Sequence, residues 1–179
     1  GSEKNSFDIA DVINSLNDKL IFRHPHIYGD VEVKDEEEVK QNWEKLKLKE
    51  GNKSVLSGVT KGTPSLIKAF RIQDKVKGIG FEFANAEDAW KKVEEELEEF
   101  HAETNLEKKE MELGDVFFSL VNYARISGIN PDSALERTNN KFITRFQKME
   151  NLALDKNLKL ENLSLEEMDL LWEEAKKGE

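Results

Sequence analysis

The chain has no cysteine, so disulfide staples and thiolate metal sites are excluded, and nothing in it marks an oxidising compartment. Proline occurs three times and glycine ten times, mostly between periodic stretches, and β-branched alternation is scarce. That argues against a sheet protein and for a mainly α-helical one. Basic charge is the minority sign: 27 Lys and Arg face 37 Asp and Glu, a formal net charge of −10. A nucleic-acid backbone is therefore not the expected partner, since such binders need a basic face; a cationic or cation-carrying ligand suits the composition better. No apolar run approaches the ~20 residues needed to span a bilayer, and no signal-peptide pattern opens the chain. The expectation is a cytoplasmic protein without a membrane partner. A chain of 179 residues has room for a real core, because a fold of about 150 residues already buries roughly 68–70% of its unfolded surface.

Hydrophobic periodicity predicts helices at 8–22, 35–49, 64–78, 86–103, 106–127, 131–154 and 164–177. Asn85, Asn130 with Pro131 behind it, and the Ser164-Leu-Glu-Glu167 box are N-terminal caps. Gly78 with Gly80, and Gly128, are C-terminal stops. Asp30 to Val33 reads as a short strand.

Two segments recur in order. NDKLIFR at 17–23 parallels NNKFITR at 139–145, and EEVKQNWEKLK at 37–47 parallels EEMDLLWEEAK at 166–176, with Trp43 opposite Trp172. The chain therefore reads as 1–50, the tail of one repeat with a linker, followed by 51–179, a complete second copy. The acidic segments KVEEELEEF (92–100) and MELGDVFFSLVN (111–122) precede the second occurrence of these recurring segments only.

On a helical wheel Lys108, Glu112, Asp115, Ser119 and Asn122 fall within a sector of about 80°. Most of the remaining positions from Leu113 to Ala124 are apolar or aromatic. So narrow a polar stripe predicts a buried helix, with Glu112 and Asp115 inside the interior or a cleft, where carboxylates must be paired or bind metal. The preceding helix is less decisive. Its core stripe is Ala86, Ala89, Trp90, Val93, Leu97 and Phe100; Glu96 borders that stripe while Glu99 and Glu95 turn away from it. A solubilising surface paired with Lys91 and Lys92 competes there with a ligand role. If two antiparallel helices set Glu96 and Glu99 opposite Glu112 and Asp115, four carboxylates converge. Each like-charged pair at ~4 Å would cost up to about 4 kcal/mol at an effective dielectric of ~20. An all-oxygen set of this kind favours Mg²⁺ or Mn²⁺ over zinc.

Arg137, Lys141, Arg145 and Lys148 share one helical face. Two readings stand: a clamp for the outer oxygens of a polyphosphate, or a solvated face balancing an acidic protein. His24 and His26 flank a proline without a third ligand nearby, which reads as a structural turn. Neither a dinucleotide-binding glycine pattern nor a phosphate-binding P-loop is present.

Glu95-Glu96-x-x-Glu99 followed by Glu112-x-x-Asp115 resembles the E-E-x-x-E … E-x-x-D signature of the all-α nucleoside triphosphate pyrophosphohydrolases. RHPHIYGD (23–30), NWEKLK (42–47), AFRIQDKVKGIGFEF (69–83) and NNKFITRF (139–146) resemble the MazG branch specifically. The resemblance covers nearly the whole chain. It implies an all-α helical bundle completed between the subunits of a homodimer, and Mg²⁺-dependent hydrolysis of a nucleoside triphosphate to monophosphate and pyrophosphate, in housecleaning or regulation of the nucleotide pool. By matching position it implies Glu96, Glu99, Glu112 and Asp115 as metal ligands and Glu95 as the base that orients water. Lys92, Lys108, Lys141, Arg145 and Trp172 would contact the nucleotide. One departure is Phe83, which stands where the family's G-F-D-W motif has tryptophan. The competing reading is a catalytically silent helical module whose acids serve a protein partner or solubility.

Overall fold

In the computed structural model of the chain, the described residues are 7–35 and 54–177, with 38, 39, 42 and 46 between them. Their regular structure is helical throughout. The elements are α1 (Ile9–Arg23), α2 (Pro25–Tyr28), a 3-10 turn (Val55–Gly58), α3 (Ser65–Lys77), α4 (Ala86–Ala102), α5 (Leu106–Ile126), α6 (Pro131–Asp155), a second 3-10 turn (Leu160–Asn162) and α7 (Leu165–Lys176). The helix expected over 35–49, with Trp43, lies largely outside the described residues. Asp30 to Val33 forms no strand: no second strand is present among the described residues to pair with it, and an isolated strand leaves its backbone groups unsatisfied. None of the helices described is long and apolar enough to cross a membrane.

The cap chemistry works as the residue types dictate. Asn85 Oδ1 accepts from the Asp88 amide, Asn130 Oδ1 accepts from the Ser133 amide ahead of Pro131, and Ser164 and Glu167 form a reciprocal capping box. Each such cap contributes about 1 kcal/mol. Gly78 closes α3, and Gly80 adopts φ +87°. A side chain there would be strained, so glycine is what lets the chain turn out of α3 into Phe81–Phe83. Gly128 does the same after α5, at φ +72°.

The chain divides into two compact units, Gly1–Ser127 and Gly128–Glu179. In the first, α4 and α5 are joined by three residues, Glu103–Asn105, a link short enough to make them antiparallel neighbours. Glu103 Oε1 accepts from the amides of both Thr104 and Asn105, and Asn105 caps α5. Their seam buries Ala89, Val93 and Glu96 from α4 and Val116, Ser119 and Val121 from α5. Burying each valine is worth roughly 1.5–3 kcal/mol. Helix α3 also packs on α5, and α1 buries none of its residues. In the second unit α6 and α7 pack through Met149, Ala153, Leu171 and Ala175, flanked by Leu152, Leu160, Leu163 and Trp172.

Candidate functional site

Glu96 and Glu99 are one helical turn apart on α4, and Glu112 comes from the first half of α5. Because the two helices run antiparallel across a short link, the three carboxylates meet: one oxygen from each lies within 4.8 Å of the others. This is the only grouping of three metal-capable side chains among the described residues. Burial differs sharply within it. Glu96 is buried, Glu112 half-buried and Glu99 exposed.

The electrostatics are those of crowded like charge. Partial burial pushes the Glu112 carboxyl above its ordinary range, and the charges of Glu99, Asp115 and Glu96 push it further the same way. On the other side of the cluster the Lys92 ammonium lies 2.7 Å from Glu95 Oε1 and 2.8 Å from Glu96 Oε1. Its hydrogen bonds to Glu95 and then Glu96 hold it well above the ordinary lysine value. One lysine offsets part of this negative charge, yet Glu112 still carries the imprint of unbalanced like charge. A divalent cation with oxygen ligands fits such a donor set, being hard, small and doubly charged.

Asp115 corrects one expectation. It is exposed, not enclosed, and its side chain is outside the closest group while still acting on Glu112 through its charge. The polar stripe does enter the interior, but farther along: Ser119 is buried and Asn122 half-buried. The helix is not apolar-and-buried all round either, since Phe117 is 57% exposed and Leu113, Phe118 and Leu120 are also open. Periodicity located the apolar circumference; nothing among the described residues covers its outer side.

Of the other expected contacts, Glu95 is exposed and held by Lys92, and Lys108 is exposed at the start of α5. Glu94 and Glu98 are surface residues, as composition suggested, with Glu94 accepting from the Trp90 indole N–H. Lys141 and Arg145 lie on α6 of the second unit, Lys141 exposed and Arg145 half-buried. Trp172 belongs to that unit too, its ring 5.1 Å from that of Phe142. His24 caps α2 and its Nδ1 is 2.7 Å from the Leu20 carbonyl oxygen, a turn-forming role.

Sequence reasoning passed over Gln73, Glu82 and Arg125. Gln73 is buried on α3 and donates its Nε2–H to the Phe118 carbonyl at 2.8 Å, while Arg125 bridges Glu82 and Asn122. The signal was present: Gln73 is a polar residue on the face that also carries Ala69, Phe70 and Val76.

The profile of the MazG nucleotide pyrophosphohydrolase domain matches residues 85–149, from the α4 cap through the acid cluster and most of α6. Whole-chain relatives agree. The "Nucleoside triphosphate pyrophosphohydrolase/pyrophosphatase MazG" of Thermotoga maritima is 40% identical over 180 residues, covering 99% of this chain and 69% of that protein. The "Nucleoside triphosphate pyrophosphohydrolase" of Escherichia coli K12 is 32% identical over 186 residues, covering 99% and 71%. The "Uncharacterized protein YabN" of Bacillus subtilis is 42% identical over 189 residues, covering all of this chain but 38% of its own length. With 40% identity running across both units and the acid-bearing helices inside the matched domain, the chain belongs to the MazG family of nucleotide pyrophosphohydrolases.

Proposed function

We propose that the chain hydrolyses nucleoside triphosphates to the monophosphate and pyrophosphate with Mg²⁺, Mn²⁺ being an alternative, held by Glu96, Glu99, Glu112 and Asp115. The observation that carries this is the convergence of Glu96, Glu99 and Glu112 within 4.8 Å on two antiparallel helices, inside the matched domain. Asp115, one turn beyond Glu112, would complete the set from its exposed position. A bound divalent cation supplies charge neutralisation of the triphosphate and activation of water.

The chain's own groups do the rest. Glu95, fixed by Lys92, takes the proton as water adds at the α–β phosphoanhydride and the bridging P–O bond breaks. Lys92 and Lys108 lie close enough to the acids in sequence and helix register to meet phosphate oxygens. Lys141 and Arg145 take the charge that develops on departing pyrophosphate, and Trp172 contacts the nucleotide. The same proposal includes a homodimer working in the cytoplasm, supported by the open apolar side chains Leu113, Phe117 and Leu120 on α5. The division into a repeat tail at 1–50 and a catalytic copy at 51–179 also belongs to it.

Pyrophosphate and orthophosphate release from the eight common NTPs and dNTPs, with and without Mg²⁺, tests the reading. Metal-dependent pyrophosphate release, abolished in Glu96→Ala, is expected. No turnover together with no metal-dependent rise in melting temperature would leave the silent interaction module as the function.

A further inference from the structure

The acids of α4 carry a cation of their own. Lys92, Glu96 and Glu99 follow one another at four- and three-residue intervals, so they share a face of the helix, with Glu95 beside them. The Lys92 ammonium reaches Glu95 Oε1 at 2.7 Å and Glu96 Oε1 at 2.8 Å. Its neighbour Lys91 stands about 100° round the helix and pairs instead with Asp88, at 2.9 Å. Of two adjacent lysines, one is therefore aimed into the acid cluster and the other out of it.

The two partners of Lys92 differ. Glu95 is open to water, whereas the Glu96 side chain is only 10% exposed. An exposed ion pair contributes little, but the Lys92–Glu96 contact engages a buried carboxylate that faces Glu99 and Glu112, one oxygen of each lying within 4.8 Å of the others. An ammonium is a compact charge with three donors and no demand for planarity, so it relieves that repulsion by bonding to carboxylate lone pairs. A divalent cation draws on the same lone pairs, and it brings two positive charges up to one that is already there. Like charges at short range in half-buried surroundings repel strongly. The ammonium therefore opposes entry of the ion until another acceptor takes it from Glu96, and phosphate oxygens are strong acceptors for it.

We propose that Lys92 is a built-in counter-cation that competes with the divalent ion for Glu96, so that the ion is held tightly only when the phosphates of a nucleotide draw the ammonium off. The proposal rests on the pyrophosphohydrolase reading above and adds to it a role for Lys92 as a positioning residue that acts through Glu96. Coupling of this kind is reciprocal: metal and nucleotide bind tightly together and weakly apart.

The test is a calorimetric titration with Mg²⁺ in the absence of nucleotide. Lys92→Met, similar in length but uncharged, is expected to bind Mg²⁺ at least about tenfold more tightly than the wild-type chain. Lys92→Arg keeps the charge and stays within about threefold of wild type. Lys91→Met removes the same charge one residue away and changes the affinity less than about twofold. Repeating the titration at a saturating concentration of an α,β-methylene triphosphate, the tightening it causes is expected to be at least about tenfold smaller in Lys92→Met than in wild type. Damage to the fold only weakens binding, so a gain in affinity has no structural imitation. Lys92→Met binding Mg²⁺ no better than wild type overturns the proposal, since the lysine would then serve only to orient Glu96. A Lys91→Met gain equal to that of Lys92→Met overturns it as well, because general charge would account for both. Absence of Mg²⁺ binding in every variant, with and without the analogue, defeats the pyrophosphohydrolase reading and this proposal with it.

Discussion

The acids of α4 and α5 invite comparison because neither helix buries its carboxylates as a set. The glutamate run of α4 looks like surface charge, whereas the two acids of α5 sit on a narrow stripe amid apolar residues. In the fold the buried carboxylate is Glu96 of α4, and Asp115 of α5 is exposed. The stripe of α4, with Ala89 and Val93 fully covered, faces the α5 seam and carries Glu96 in with it. The apolar circumference of α5 is only half used, on the side of Val116 and Val121. A helical wheel reports which positions are alike; a neighbouring helix decides which of them lose water.

Breaking the buried side of that comparison should have the largest effect. Glu96→Ala is expected to lower pyrophosphate release at least about a hundredfold, and Asp115→Ala less, because an exposed carboxylate is more readily replaced by water. Equal losses in the two variants, measured at saturating Mg²⁺, would remove the distinction. Metal itself is the next lever. At a hundredfold excess over Kd it should stabilise the chain by about 2.7 kcal/mol, read as a rise in melting temperature that Glu112→Gln abolishes.

Core packing comes next. Val93→Ala, on the covered stripe of α4, should cost about 2 kcal/mol in denaturant unfolding. Phe117→Ser, on the open side of α5, should leave monomer stability nearly unchanged and instead weaken self-association in light scattering. A Phe117→Ser loss as large as that of Val93→Ala, with no change in mass, would mean that face packs within the chain.

The pH response sharpens the electrostatic half. The Glu112 pKa is raised in the folded state by burial and by Glu99, Asp115 and Glu96. Folding is therefore opposed above that raised pKa, and the opposition fades as pH falls through it towards the ordinary glutamate value, below which both states are protonated. In metal-free protein, Glu112→Gln should be more stable than wild type at neutral pH, and the two should converge on acidification. A gap independent of pH would exclude the charge as its cause. The smallest expected effect is at Gly114, where a Cβ would meet nothing within 4 Å. Gly114→Ala should add about 1 kcal/mol to an isolated helix; a loss instead would show a second chain approaching closely at that turn.

The helices were legible because caps and periodicity are local: α4 and α6 each begin where Asn85 and Asn130 present a side-chain acceptor to a backbone amide three residues on. Much of the acid cluster was legible too, through the three-residue spacing of Glu96 and Glu99. The short strand at Asp30–Val33 was misread because strand formation needs a partner that composition does not reveal. Gln73 and Arg125 were missed for a related reason: their pairing depends on Phe118, Glu82 and Asn122 arriving beside them.

By itself, then, the sequence determined the all-helical architecture, the caps and the residues able to hold a divalent cation, since these follow from short-range spacing and side-chain chemistry. Only the tertiary structure decided that Glu96 is the buried carboxylate and Asp115 the open one, and that Gln73 and Arg125 are drawn in beside Phe118, Glu82 and Asn122. Burial and pairing are set by what packs against a residue, and the packing partners come from distant parts of the chain.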